Sequence, residues 1–244
     1  MVTKNGVIKR TQLSVFSNVR KNGVIAVNLD EGDELSWVRL TTGENELLLA
    51  TRFGMAIRFL ETDVRTMGRT ARGVRAIKLR KGDSVVGLCV VHAGDMVLTV
   101  SETGFGRLSP ATDYRTQHRG GNGLLNYRVS QYGNVASIMM VDQLGDDLIL
   151  ISSDGIIIRI HADSIRICSR PAKGVLLMRV SKGNHVVTLA HTTRSNDEET
   201  SQPENDGSAN EGTETAEEKA SEEKGENTEE NDTENPPETP EDNG

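Results

Sequence analysis

Short apolar runs alternate with glycine-centred turns over residues 1–194. Val, Ile and Leu dominate these runs, a composition typical of β-strands. Runs on either side of a glycine indicate hairpins, and no segment of this region sustains a helical period. The pattern predicts these strands: Leu47–Thr51, Met55–Phe59, Val74–Leu79, Ser84–Val91, Val97–Val100, Gly106–Leu108, Leu124–Val129, Val135–Val141, Leu148–Ser152, Ile156–Ile160, Val175–Val180 and His185–Ala190.

Two sets of glycines give the pattern a period of about 50 residues. The turn glycines, inside the hairpins, lie 48, 50 and 51 residues apart at Gly6, Gly54, Gly104 and Gly155. The loop glycines, which end a longer polar connection, lie 50, 50 and 51 apart at Gly23, Gly73, Gly123 and Gly174. Such a period is typical of repeat architectures. We predict an all-β, propeller-like disc of four-stranded blades, with repeats at about 1–40, 46–91, 96–141 and 148–190.

Charge divides the chain into two parts. Residues 195–244 hold 19 acidic residues and two lysines, a net charge of −17, whereas residues 1–194 carry 26 basic and 17 acidic residues, a net charge of +9. The acidic part has no aromatic residue and no Leu, Ile, Val or Met. It cannot bury enough apolar surface to offset its chain entropy, so we predict a disordered tail over 194–244 after a folded domain over 1–193.

The basic excess of residues 1–194 predicts a polyanion-binding surface. Basic residues recur after the turn glycines and before the loop glycines, where alternation along a strand can direct them outward. Stacked blades would then align them in a positive stripe that displaces counterions from duplex DNA. The alternative is solvation, or pairing with Asp33, Asp63, Asp83 and Asp113. The predicted contacts are Lys9, Arg10, Arg20, Lys21, Arg58, Arg69, Arg72, Arg107, Arg115, Gln117, His118, Arg119, Gly120, Gly121, Gly123, Arg128, Arg159, Arg170 and Lys173.

The loop 117–123, Gln-His-Arg-Gly-Gly-Asn-Gly, is the sharpest local motif. Its glycines allow positive φ angles and would let backbone amides approach a phosphate, although a ligand-free blade connection has the same composition. It lacks the Gly-Lys-Ser/Thr ending of a nucleotide-binding loop, so we expect no ATP site and no other cofactor. The five histidines show no metal-ligand spacing, and no catalytic constellation is visible, so we expect neither a metal site nor an enzyme.

Three segments resemble the C-terminal DNA-wrapping domain of the A subunit of bacterial DNA gyrase. They are Thr-Lys-Asn-Gly-Val-Ile-Lys-Arg-Thr at 3–11, Met-Gly-Arg-Thr-Ala-Arg-Gly-Val at 67–74, and the loop 117–123. The resemblance covers essentially all of residues 1–190. It implies a β-pinwheel, a disc of four-stranded blades that exchange strands with their neighbours and wrap duplex DNA around a basic rim.

The resemblance also implies partners and a cellular setting. Partners would be duplex DNA, the rest of the gyrase A protein, and the gyrase B protein, which hydrolyses ATP during negative supercoiling. The Mg²⁺ and ATP of that reaction would belong to other parts of the enzyme, and the location would be the bacterial cytoplasm and nucleoid. We expect no membrane association and no small-molecule substrate.

The chain departs from the family pattern at two places. The signature box Gln-Arg-Arg-Gly-Gly-Lys-Gly belongs to the first blade of the family, whereas the nearest match here lies in the third repeat with His118 and Asn122 at two basic positions. The first repeat has only five residues before Gly6, which suggests an N-terminally truncated piece with an open sheet edge in its first blade. Two alternatives remain, the corresponding domain of topoisomerase IV and a propeller-like platform for protein interactions.

Overall fold

The computed structural model describes residues 1–141 and 145–192, and the regular secondary structure of these two ranges is almost entirely β. Their strands are β1 Val2–Thr3, β2 Val7–Ile8, β3 Leu35–Trp37, β4 Glu46–Thr51, β5 Met55–Leu60, β6 Val74–Arg75, β7 Val85–Val91, β8 Met96–Ser101, β9 Phe105–Pro110, β10 Leu124–Leu125, β11 Val135–Val141, β12 Asp147–Ser152, β13 Ile157–His161, β14 Val175–Leu176 and β15 Val186–Thr192. Short 3-10 turns occupy Leu13–Phe16, Glu61–Asp63, Ala111–Asp113 and Ala162–Ser164. The α-helix α1 is Val129–Tyr132, and no helix of the described ranges could cross a membrane. The predicted tail lies outside the described residues.

Four antiparallel sheets correspond to four blades that exchange strands. Their strand orders are β3-β1-β2-β6, β10-β5-β4-β7, β11-β8-β9-β14 and β13-β12-β15. Each short strand after a loop glycine therefore joins the sheet of the preceding repeat, and we call β6, β10 and β14 the donated strands. Their registers are equivalent, with Val74 opposite Ile8, Leu124 opposite Ala56, and Val175 opposite Gly106. The predicted all-β disc of four blades is confirmed.

The core lies between blades rather than inside any one of them. A single sheet cannot bury its apolar faces, so each packs against its neighbours. Val2 and Ile8 of the first sheet pack with Leu49 and Phe59 of the second. Corresponding clusters join the second sheet to the third, and the third to the fourth.

A central cavity defines the inner side of the blades. It measures about 470 Å³ and is lined by residues at or next to the innermost strands, including Trp37, Leu88, Ile138 and Leu189. The donated strands lie at the opposite ends of the sheets. The long polar connections that precede them therefore form the outer rim.

Two sequence predictions of the strands are corrected here. The apolar pattern predicts a third strand of six residues in each of the last three repeats, but only two residues of each pair. The amides of Asn126 and Tyr127 both donate to the carbonyl of Gly54, at 2.7 and 3.0 Å, and this ends the ladder. Among the described residues, the sheet that has only three strands is the fourth, and not the first as expected.

Glycine is required at positions 104 and 174 because a donated strand crosses the neighbouring backbone there without a gap. A Cβ on Gly104 would overlap the carbonyl oxygen of Met178, and one on Gly174 would overlap that of Gly106. Both glycines also have φ angles near +80° (+86° and +81°), which L-residues rarely adopt.

Replacing Gly104 with alanine should therefore cost far more than the same change at Gly155. Both glycines have positive φ, +86° and +82°, but nothing lies within 4 Å of a Cβ at Gly155. We expect Gly155→Ala to lower the free energy of unfolding by about 1 kcal/mol through backbone strain alone. Gly104→Ala should lose at least about 3 kcal/mol, because the donated strand must also move. Urea unfolding of both variants measures this, and equal losses would contradict the packing account.

Candidate nucleic-acid interface

Each rim connection lies along the preceding repeat and is held there by backbone hydrogen bonds. The amide of Gly120 donates to the carbonyl of Ala76 at 2.6 Å, and the amide of Lys78 donates to the carbonyl of Gly121 at 2.8 Å. The connection of the third repeat and the segment after the donated strand β6 thus run side by side. Side chains from two successive repeats therefore share one surface at each junction.

Three predicted contacts tie these junctions together. Arg69, Arg119 and Arg170 lie four positions before their loop glycines. Their guanidinium groups donate, at 3.0 to 3.1 Å, to the carbonyls of the residues two positions after the preceding loop glycine, Ile25, Arg75 and Leu125. These arginines are half-buried, so part of each guanidinium positions the rim rather than facing solvent.

Arg107 is not on the surface, and the expectation that it points outward is wrong. Its exposed fraction is 0%. Its guanidinium donates to the carbonyls of Asn126 at 2.5 Å, Ala172 at 3.1 Å, and Arg170. It therefore joins the third repeat to the fourth from inside.

Lys9 plays the same structural part at the first junction. It is 2% exposed, and its ammonium group donates to the carbonyls of Ala26 at 2.6 Å and Arg69. Burial and the nearby charge of Arg69 lower the pKa of Lys9. Lys9 and Arg107 both lie three positions after a turn glycine, whereas Arg58 lies four after. Successive strand residues face opposite sides, so this one-residue difference decides whether the cation is buried.

Arg10, Arg58 and Arg159 lie four positions after their turn glycines and face carboxylates. Arg58 pairs with Glu46, Arg159 with Asp147, and Arg10 approaches Glu61 at 3.9 Å. The alternative interpretation of the sequence, local pairing with acidic residues, thus applies to these three, although through carboxylates other than those predicted.

Glu46 has a depressed pKa as a result. Burial alone would raise the pKa of this carboxyl, but hydrogen bonds from Arg58 and Thr116, with the charge of Arg58, lower it below its ordinary value of 4.5. Glu46 thereby ties β5 to the rim connection of the third repeat, through Thr116 at 2.6 Å.

The Glu46 tie should stabilise the fold in a pH-dependent way. Because the folded-state pKa is below the unfolded one, the contribution is complete above pH 4.5 and disappears as the pH falls through the depressed value. We expect Glu46→Gln to unfold about 1 kcal/mol more easily at neutral pH and like the unsubstituted chain well below pH 4. Exposed Glu44→Gln is the matched control. Denaturant midpoints at both pH values test this, and a constant difference would contradict it.

Two rows of three exposed cations recur along the rim without a side-chain partner among the described residues. One row lies eight positions before the loop glycines, and the other lies five positions after them. We call them the outer cation rows, and they consist of Arg65, Arg115 and Arg166, and of Lys78, Arg128 and Arg179. Arg115 and Arg128 are among the contacts predicted from the sequence. The other four are not, although counting from the loop glycine would have found them.

The first repeat does not continue these rows. Its corresponding positions hold Val15 and Asn28, and Val19 takes the place of the tying arginine. The predicted contacts Arg20 and Lys21 are exposed next to them. The regular cationic surface therefore extends over the second, third and fourth repeats.

The glycine loop 117–123 is already engaged within the fold. The backbone amide of Gly120 already donates a hydrogen bond to the carbonyl of Ala76. A Cβ on Gly123 would overlap the carbonyl oxygen of Ala56. Packing against the second blade therefore explains these glycines without a bound phosphate. Gly121 is exposed, and His118 faces Asp63 at 3.3 Å.

The remaining predicted contacts, Gln117, Arg72 and Lys173, already interact with other residues of the fold. The backbone amide of Gln117 donates to the backbone carbonyl of Arg58 at 2.7 Å. Arg72 is exposed and pairs with Asp30 at 2.5 Å. Lys173 is exposed and its ammonium group lies 3.7 Å from the ring centroid of Phe105, a cation–π geometry.

The family model of the DNA gyrase C-terminal domain, a beta-propeller, matches residues 1–42, 45–91, 95–142 and 146–193. The chain belongs to the DNA gyrase C-terminal domain family. The DNA gyrase A protein of Staphylococcus aureus (strain NCTC 8325 / PS 47) is 42% identical over 221 residues, which cover 88% of this chain and 25% of that protein. That of strain MRSA252 is 42% identical over 219 residues, 88% of this chain and 24% of that protein. The chain thus spans about a quarter of the length of these curated relatives.

Two solved structures share the fold. The C-terminal domain of DNA topoisomerase IV superposes with a TM-score of 0.74 at 24% identity, covering 79% of this chain and 60% of that one. The DNA gyrase A C-terminal domain gives 0.70 at 24% identity, covering 78% and 64%. These two likenesses support the pinwheel architecture, whereas the sequence relatives carry the assignment to the gyrase family.

Proposed function

We propose that this chain is the duplex-DNA binding and wrapping module of the gyrase A protein. The observation that carries the proposal is the pair of outer cation rows, which recur along the rim in the second, third and fourth repeats without carboxylate partners in the described residues. A backbone phosphate lies every few ångströms along a duplex, so a regular row of cations can follow it without reading bases.

The wrapping role rests on the arrangement of the blades. Cations at successive rim junctions would contact a duplex at successive points, and a duplex held at several such points must bend around the disc. The elastic cost of bending is several kcal/mol for a site of about 20 to 30 base pairs, and the phosphate contacts at three repeats offset it.

We also propose that the chain serves the whole enzyme without catalysing a step itself. DNA cleavage, ATP hydrolysis and the Mg²⁺ and ATP that they require would belong to the rest of the gyrase A protein and to the gyrase B protein. The chain would act on DNA in the bacterial cytoplasm and contribute to negative supercoiling by holding the duplex in a defined path.

Closing a nicked circular plasmid with DNA ligase in the presence of the chain tests wrapping. A wrapped duplex changes the mean linking number of the products in proportion to the protein bound, and we expect a shift of one sign that grows with protein concentration. Products whose distribution matches the protein-free reaction, at saturating binding, would contradict wrapping.

The acidic tail gives a further expected result. With a net charge of −17 over residues 195–244, it would compete with DNA for the outer cation rows. Deleting residues 194–244 should therefore raise duplex affinity at low salt, and the gain should shrink as salt screens both charges. Fluorescence anisotropy of a labelled duplex measures this, and unchanged affinity would contradict competition.

A further inference from the structure

The fourth repeat places a lysine against two aromatic rings of the third repeat. The ammonium nitrogen of Lys173 lies 3.7 Å from the ring centroid of Phe105 and 5.7 Å from that of Tyr132. The face of an aromatic ring carries partial negative charge, so it attracts a cation at these distances. Lys173 is nevertheless exposed. Its ammonium group is therefore held at a defined place on the rim without being covered.

Both rings belong to ordered elements of the third repeat. Phe105 is the first residue of β9 and lies opposite Leu176 of the donated strand β14. Tyr132 is the last residue of α1, and its ring meets the buried ring of Tyr127 edge-on, with centroids 5.7 Å apart. The lysine thus lies against a surface that the packing of the third repeat already fixes.

The main chain at Lys173 is fixed as well. The hydroxyl group of Tyr127 donates to the carbonyl of Lys173 at 3.1 Å. The next residue, Gly174, has a φ of +81° and passes so close to Gly106 that a Cβ would overlap its carbonyl oxygen. A lysine free in water samples many rotamers of its four-carbon stem. Because both ends of this side chain are held, it loses less conformational entropy when it binds a ligand.

The corresponding positions in the second and third repeats differ from Lys173. The residue directly before the loop glycine is Arg72 in the second repeat and Asn122 in the third. Arg72 is exposed although the third repeat packs beside it, but it pairs with Asp30, and Asn122 has no charge. Lys173 has no carboxylate partner among the described residues. The rings therefore hold its ammonium group without cancelling its charge.

The two aromatic residues are specific to the repeat that contacts the lysine. The position of Phe105, directly after the turn glycine, holds Val7, Met55 and Ile156 in the other repeats. The position of Tyr132, nine residues after the loop glycine, holds glycine in the other three repeats, at 32, 82 and 183. The blade fold therefore does not require aromatic rings at these positions.

We propose that Phe105 and Tyr132 are positioning residues that hold Lys173 for contact with a phosphate of the DNA backbone. The inference rests on the proposed binding of duplex DNA. The rings occupy one side of the ammonium group, and the N–H groups on its other side remain to donate to a phosphate oxygen. Lys173 thereby contributes more to affinity than a lysine that rotates freely.

A double-mutant cycle on duplex affinity tests the proposal, since Phe105→Leu removes the ring but keeps an apolar side chain of similar size. Near 0.1 M salt, Lys173→Gln should lower affinity about fivefold and reduce the salt slope by about 0.9. Phe105→Leu should lower affinity about threefold, as expected for an exposed cation–π contact. The double variant should bind no more weakly than Lys173→Gln alone, and Phe105→Tyr, which keeps the ring, should bind like the unsubstituted chain.

Two further measurements separate positioning from packing. Phe53→Leu is the matched control, because Phe53 is also half-buried beside a turn glycine but has no cation over its ring among the described residues. Its affinity for the duplex should be unchanged. Nuclear magnetic resonance of the DNA-free chain should show the methylene protons next to the Lys173 ammonium shifted upfield by the rings. Lys173→Gln assigns these signals by removing them, and Phe105→Leu should return them to their ordinary positions.

Three results would overturn the positioning role while duplex binding still stands. They are full affinity in Phe105→Leu, an equal loss from Phe105→Leu with and without Lys173, and methylene signals of Lys173 at their ordinary positions. An unsubstituted chain that binds no duplex would contradict the proposed function itself and this role with it. Far-UV circular dichroism checks that each variant folds, and Tyr132→Leu takes the place of Phe105→Leu if the latter does not.

Discussion

Replacing Arg65, Arg115 and Arg166 together with glutamine should lower the affinity of the chain for duplex DNA about a hundredfold near 0.1 M salt. Each is exposed and has no side-chain partner among the described residues, and the three occupy the same position in the second, third and fourth repeats. Removing one phosphate contact should reduce the slope of log affinity against log salt by about 0.9, so the slope should fall by nearly 3 for the triple variant. Anisotropy titrations at several salt concentrations measure both quantities.

A control variant with the same change in charge separates the effect of residue position on affinity from the effect of net charge. Arg80, Lys81 and Lys182 are exposed and without partners in the part of the chain described, but they lie in turns outside the outer cation rows. Their replacement with glutamine should lower affinity much less. Equal losses in the two triple variants would show that total charge, and not the rows, governs binding.

Replacing Arg107 with alanine should lower the free energy of unfolding by at least about 3 kcal/mol. The side chain is 0% exposed and satisfies carbonyls from both the third and the fourth repeats. Truncation would leave these acceptors buried without donors and open a cavity between two blades. Urea unfolding monitored by circular dichroism measures the loss.

Two variants make the Arg107 prediction specific. Arg107→Lys should recover much of the loss, because Lys9 bridges two repeats in the same way at the first junction. Arg115→Ala, at an exposed rim position, should change stability by no more than about 0.5 kcal/mol. A loss at Arg107 no larger than that at Arg115 would contradict a structural role.

The architecture was predictable because its requirements are local and repeated. Gly73, Gly123 and Gly174 are glycine since a strand must pass close to another backbone at positive φ, and this need recurs at every junction. The period therefore shows in the sequence. The continuous apolar runs of β4 and β8 likewise follow from packing against a blade on each side, since Leu48 and Leu49 of β4, like Val97 and Leu98 of β8, lie in different clusters.

The roles of individual cations were not predictable to the same extent. Arg58 and Arg107 differ by one position relative to their turn glycines, and that single step reverses the face of the strand. The partners of Arg107 lie up to 65 residues away and include three main-chain carbonyls, which carry no signature in the sequence. The roles of Arg69 and Arg119 were unpredictable for the same reason, since their hydrogen bonds depend on the position of the preceding repeat.

The short donated strands were overestimated for a related reason. Residues 124–129 and 175–180 have the apolar character of longer strands. Their pairing ends after two residues because the next amides turn to a single glycine carbonyl, as at Gly54. That geometry depends on the neighbouring blade.

The salt dependence of duplex binding by the unsubstituted chain tests the central claim most directly. If the outer cation rows hold the phosphate backbone, log affinity should fall linearly with log salt, with a slope of about −0.9 for each contact and a total near −5 for six contacts. A slope near zero, or no binding at low salt, would contradict a DNA-binding rim and favour a surface for protein partners.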